Sequence, residues 1–390
     1  MERIGSDERR RRLAQRHRLA SEAHSESALD TAIAVVALHS SDAATVFLST
    51  WARTRGFEVG DLERALYDER SLVRLLGMRR TLWVVPRELA EIVHAACTRT
   101  IAARERTRLE GFVARSGVSD DPGRWLDDAA AVALRVVEER GEAFTGDLSR
   151  AEPLLATKLR LGAGTRWEAS VSAGSRILPL LAAEGALARG RPRTSWTNAQ
   201  YRWLLVRDWL GEVESVEPAV AQAELLRRWL AAFGPATETD VRWWTGWTAR
   251  ETRAALAAVP HVEVDLDGAV GLVLAGDLEA TERPEPWAAL LPTLDPTTMG
   301  WKEREWYLGP HAAVLFDSNG NAGPTVWWDG RVVGGWSQRR DGEIVFELLE
   351  DVGRDAVAAV EAEAARLREW LGEARFSPGF LPLFQRGLAR

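Results

Sequence analysis

Residues 37–51 read ALHSSDAATVFLSTW: an apolar run, a polar knot of His39, Ser40, Ser41 and Asp42, and a second apolar run. Polar side chains two residues apart can hold one water molecule between them. Histidine both donates and accepts hydrogen bonds with a pKa near neutrality, so His39 could act as a base or a water-positioner. Ser41 can hold a water but cannot deprotonate it, and Asp42 brings a negative charge. The same residues have a structural reading. Ser41 or Asp42 can cap the helix that follows, and His39 can end the helix before it, where a partly positive ring suits the dipole. Residue types alone leave both readings open.

Other candidates are weaker. His94 lies in an apolar helix, LAEIVHAAC, and reads as half-buried. His261 begins a strand with no acidic or thiol partner nearby, and His311, in YLGPHAAVLFD, lies in a β-region where it could face a central cavity but reads rather as core packing. Asp295 sits in TLDPTTMG, where an Asp-Pro pair marks a turn. DSNGNAG (317–323) has turn residues but lacks the Gly-Lys-Ser/Thr and following helix of a phosphate loop. No metal-ligand spacing occurs, and no cofactor is expected. Cys97 is the single cysteine, which excludes an intrachain disulfide framework and a Cys-rich zinc site.

The elements that must position the knot are short. Periodicity predicts a basic helix over 8–20, then helices over 28–38, 43–53 and 60–67, then strands at 71–78 and 81–86 separated by Arg79 and Arg80. Three helices followed by two strands is a winged-helix order. It recurs with helices at 127–140, from Thr145, and at 170–184, the last followed by the basic GALARGRPR. A third copy starts at 218 with three helices and strands at 261–274. Beyond about 285 the chain turns rich in aromatics, β-branched residues and Gly/Asn/Asp turns, and a helix over 352–374 closes it. The expected fold is α+β: three tandem winged-helix modules (1–120, 121–215 and 216–284) and a C-terminal antiparallel β-domain, a small barrel or sheet, over 285–390.

Net charge is −7, which argues against a non-specific nucleic-acid coat. Lys158 and Lys302 are the only lysines among 50 basic residues, and the arginines cluster, as at Arg9 to Arg12, Arg99 to Arg108 and Arg189 to Arg193. Such runs also arise as solvated helix faces. No apolar run reaches the length of a membrane helix and no signal-peptide pattern opens the chain, so a cytoplasmic protein without membrane contact is expected.

Four collinear stretches carry a family resemblance: RSLVRLLGMRRTLWVVP (70–86), FGPATETDVRWWTGWT (233–248), LLPTLDPTTMGWKERE (290–305) and VWWDGRVVGGW (326–336). The first resembles the RSLVRTWAMRGTLHLVP-like stretch of the AlkZ/YcaQ-type winged-helix DNA glycosylases, and the others resemble further signatures of that family. The resemblance implies a DNA-binding concavity, removal of bulky N7-alkylated purines and unhooking of interstrand crosslinks by a monomer acting on double-stranded DNA. It puts the family's catalytic Gln–apolar–Gln (or Asp) signature at His39, Ser40 and Ser41, followed by Asp42, so both glutamines are replaced. Asp42 would then stabilise the sugar cation. Arg79 and Arg80, at the first hairpin turn, become candidates for phosphate contacts, and Trp83 for a DNA wedge. Ser172, Ser175 and Arg176 on the second module's third helix, with Arg191 and Arg193 behind it, complete the expected interface. Two other readings remain: a non-catalytic DNA-binding regulator or lesion binder, and an interaction scaffold that has lost DNA.

Overall fold

The computed structural model describes residues 1–390 except 163, 165–167, 212, 213 and 380. The first unit contains the helices Ala28–Ala34, Ala43–Trp51 and Val59–Glu63, the last continuing as a wider turn over Arg64–Asp68. The hairpin Leu72–Leu76/Leu82–Pro86 closes it. The helix expected over 28–38 stops at Ala34. Two β-branched residues follow, Val35 and Val36, which are poor helix continuers, and Val36 turns left-handed at φ 63°. Leu38–His39 then pairs antiparallel with Val84 and Trp83 as a third strand. His39 therefore sits on a sheet edge, not at a helix C-terminus.

In the second unit, Asp121 caps Pro122–Arg140, Thr145–Ala151 follows, and the hairpin Leu187–Pro192/Tyr201–Leu205 ends the unit. The helix expected over 170–184 runs only over Gly174–Ala183, because Ala169–Ser172 is a strand paired with Lys158–Leu161. The third unit has the helices Pro218–Phe233, Glu238–Thr245 and Ala249–Ala258. Capping boxes at Thr237 and Thr248 open the last two. The hairpin His261–Leu266/Ala269–Leu274 follows, and Glu2–Arg3 joins it in parallel. The C-terminal strands form an open antiparallel sheet in the order Ala288–Leu291, Thr325–Trp328, Arg331–Gln338, Ile344–Leu348, followed by the helix Arg354–Leu371.

Apolar packing joins these units unequally. One continuous core runs through residues 13–97, 221–272 and 287–371, while residues 109–205 build a separate one. The N-terminal helix, expected over 8–20, spans Ser6–Arg16, and Arg18 leaves it left-handed. Its arginines are largely not a solvated face. Arg12 is buried and donates to the carbonyls of Asp277 (3.0 Å) and Glu279 (2.9 Å), Arg16 pairs with Asp277 at 2.7 Å, and Arg9 stacks on Trp306. This basic cluster fastens the N-terminus to the third unit. Among the described residues no helix is long and apolar enough to cross a membrane.

Candidate active site and nucleic-acid interface

The polar knot is held from three sides. Asp42 caps Ala43–Trp51, with Oδ1 accepting from the Ala44 N–H at 3.1 Å, as one of the two capping alternatives predicts. Its Oδ2 accepts from the Gly379 N–H at 2.9 Å, so the C-terminal tail also reaches the knot. Each carboxylate oxygen keeps acceptor capacity beyond these bonds. The Ser41 hydroxyl accepts from the Leu82 N–H at 3.2 Å, which leaves its own O–H as a donor. Ser40 is buried and its hydroxyl accepts from Arg74 Nε at 2.8 Å. Arg74, also buried, donates to the Tyr67 hydroxyl at 3.0 Å and lies 4.3 Å over the Tyr201 ring.

His39 is only 2% exposed, its ring edge-on to Trp83 at 4.7 Å. Nδ1 accepts from the Ser41 N–H at 3.4 Å, so the proton of the neutral ring belongs on Nε2, which has no partner among the described residues. Burial, with a smaller push from the Arg79 charge, drives the imidazole pKa down to about 3. Of the two chemistries open to His39, this environment favours water positioning: the ring stays neutral near pH 7 and is a weak proton acceptor.

The helix carrying the cap is anchored at its other end by a buried ion pair. Arg53 and Asp295 are fully buried and joined by two hydrogen bonds, 2.6 and 2.9 Å. Ser49 donates to Asp295 at 2.7 Å, and Arg53 also reaches Thr297. Asp295 is thus structural, as its turn motif predicts, but through a charge pair spanning 242 residues. Over the helix, the loop of the second hairpin lays Trp196 against Phe47 (5.1 Å) and Trp370 (5.8 Å).

The expected DNA contacts fall into different settings. Arg79 and Arg80 do form the hairpin turn, both left-handed at φ 53° and 61°. Arg80 is exposed and paired with Glu105 at 2.7 Å. Arg79 lies 4.0 Å over Trp243, whose ring also carries Arg304 at 5.0 Å. Arg80 and Arg176 are brought together in one cleft with Arg108 and Phe112. Ser172 lies on a strand, and its carbonyl accepts from the Ser175 hydroxyl at 2.6 Å. Arg191 bridges to Asp68 at 2.7 Å over the Tyr67 ring, and Arg193 is exposed over Phe144. Trp83 does not fit the wedge expectation: it is fully buried, donates to the Met78 carbonyl at 3.1 Å and packs on Trp244, so no ring face is open to a base. Sequence reasoning missed Arg74, Tyr201, Trp243 and Arg304. For Arg74 the available signal was an arginine inside the apolar strand LVRLL.

Helices closed by antiparallel hairpins, with a polar knot at a helix start, make up the frame of this chain. The solved structure of the DNA glycosylase AlkZ from Streptomyces sahachiroi is similar, with a TM-score of 0.73 over 96% of this chain and 98% of that one, at 24% identity. The sequence model described as DNA glycosylase AlkZ-like matches residues 33–370, and the chain belongs to that family. No curated protein matches it in sequence.

Proposed function

We propose that this chain hydrolyses the N-glycosidic bond of N7-alkylated purines, including crosslinked ones, in double-stranded DNA, with His39, Ser41 and Asp42 around the attacking water. An N7-alkylated purine is already cationic. When its bond to the sugar breaks, the electron pair moves onto the base and neutralises it, so no strong general acid is needed. The demand falls on stabilising an oxocarbenium-like sugar and aiming a water at the anomeric carbon. Asp42 supplies the negative charge and receives the water's proton. The Ser41 hydroxyl or the His39 Nε2–H donates to one lone pair of the water and orients it, which leaves the other lone pair free to attack the anomeric carbon.

The observation that carries this reading is the Asp42 carboxylate. Two backbone amides fix it at a helix start, within three residues of a histidine held neutral. The test is release of free base from a duplex containing N7-methylguanine, followed by chromatography. Asp42→Asn should slow release about 100-fold, in the range for a positioned acid–base group, and His39→Ala and Ser41→Ala should slow it less. Release unchanged in all three variants would remove the site assignment. The depth of His39 favours a second reading, a DNA-binding relative without catalysis; no release from any alkylated or crosslinked duplex would establish it.

A further inference from the structure

Behind Ser40, at the seam between the first and second hairpins, two arginines meet and neither is bonded to a carboxylate among the described residues. Strand Leu72–Leu76 packs against strand Leu187–Pro192. Arg74 on the first stacks on Tyr201, and Arg189 on the second lies 4.6 Å over Trp203, two residues further along the returning strand. Arg74 spends Nε on Ser40 and Nη1 on Tyr67, and its Nη2 has no partner among the described residues. Arg189 donates to no described group. Neither pairs with a carboxylate, whereas Arg191, next on the same face, holds both Asp68 and Glu63.

Arg74 is buried and Arg189 half-buried, and two like charges brought close together with no carboxylate bonded to either are costly at Arg189. Burial and the Arg74 charge together pull the Arg189 guanidinium down to about 10, with no carboxylate opposing them. The phenols add donors: Tyr67 accepts from Arg74 and keeps its own O–H, and Tyr201 lies under Arg74 and feels the charges of both arginines. The Asp42 charge reaches Tyr201 only through space, and a cluster of donors with no carboxylate bonded to it, presenting both fork-shaped and single donors, suits a tetrahedral oxyanion.

We infer that Arg74, Arg189, Tyr67 and Tyr201 form a phosphate subsite that takes a backbone phosphate of the lesion-bearing strand. The anion site stands on its own geometry; only the source of the phosphate rests on the DNA reading above. Because Arg74 also holds Ser40, a phosphate here is linked by one side chain to the segment carrying His39, Ser41 and Asp42.

The test uses the full chain and inorganic phosphate against chloride at equal ionic strength, read by thermal melting. Phosphate should raise the melting temperature of the wild type. Arg189→Gln keeps the stem on Trp203 and removes the charge. Without phosphate it should melt about 2 °C above the wild type, as expected for relief of repulsion in a chain of this size, and phosphate should add nothing more. Arg140→Gln, at the exposed end of Pro122–Arg140, should leave the phosphate gain intact. In duplex binding, Arg189→Gln should lower the salt slope by about one unit, the loss of one phosphate contact. A wild type indifferent to phosphate, or an Arg189→Gln protein that melts lower and keeps the phosphate gain, overturns the subsite. A lost phosphate gain with an unchanged salt slope overturns the DNA source and assigns the site to free phosphate. Failure of base excision leaves the melting result untouched, so the two proposals fail separately.

Discussion

Replacing His39 with glutamine should flatten the acid side of the stability profile. The folded ring has a pKa of about 3, against 6.5 for an ordinary histidine. Above pH 6.5 the ring is neutral in both the folded and unfolded chain, and its titration contributes nothing. As pH falls from 6.5 towards 3, the unfolded chain binds a proton that the buried ring refuses. Stability is therefore lost at about 1.4 kcal/mol per pH unit. At pH 5 the interval is about 1.5 units, which gives about 2 kcal/mol for His39 alone. His17, also fully buried and also at about 3, adds a similar loss that the substitution does not touch. The assay is urea denaturation of wild type and His39→Gln at pH 7.5 and pH 5. The wild type should lose about 2 kcal/mol more than the variant between the two conditions. Equal losses would refute a buried, neutral His39, and with it the assignment of this ring as a water-positioner.

Three further outcomes follow from the same geometry. Asp295→Ala strands the Arg53 charge in the core and should cost about 3–5 kcal/mol in urea denaturation; a loss near zero would mean the pair is not closed as described. Arg80→Gly places at a left-handed position the residue that the resembling family stretch carries there. It should raise stability by about 1 kcal/mol while weakening duplex binding, and unchanged affinity would take Arg80 out of the interface. Trp83→Phe should leave duplex affinity unaltered, whereas Trp83→Ala should cost about 3–5 kcal/mol of stability; a selective affinity loss in the Phe variant would restore the wedge.

Local signals in the sequence carried most of the helices and hairpins. Periodic apolar residues place the helices that begin at Ala28, Ala43, Thr145 and Pro218 within a residue or two, whereas the starts at Pro122 and Gly174 lie four or five residues from the expected ones. What escaped was non-local. Glu2–Arg3 becomes a strand only because His261–Leu266 offers it an edge, and Leu38–His39 leaves its expected helix because Trp83 and Val84 do the same. A strand of two residues has no period to read. The candidate site shows the same division. Asp42 as a cap was visible from its position, but the Gly379 amide on its other oxygen lies 337 residues away. The arginine clusters were visible as charge, but only packing shows that Arg12 is an internal tie, as is the isolated Arg53, while Arg189 and the isolated Arg74 have no bonded carboxylate.

On the proposed reading, the knot at residues 39–42 does the work of the family's glutamine pair. The most direct measurement is single-turnover release of N7-methylguanine by the wild type, the double variant His39→Gln with Ser41→Gln, and the double variant His39→Ala with Ser41→Ala. Glutamine donates and accepts at both positions, so the glutamine pair should release base within about tenfold of the wild type, while the alanine pair should fall about 100-fold or more. Equal rates for the wild type and the alanine pair would place the chemistry elsewhere and contradict the account.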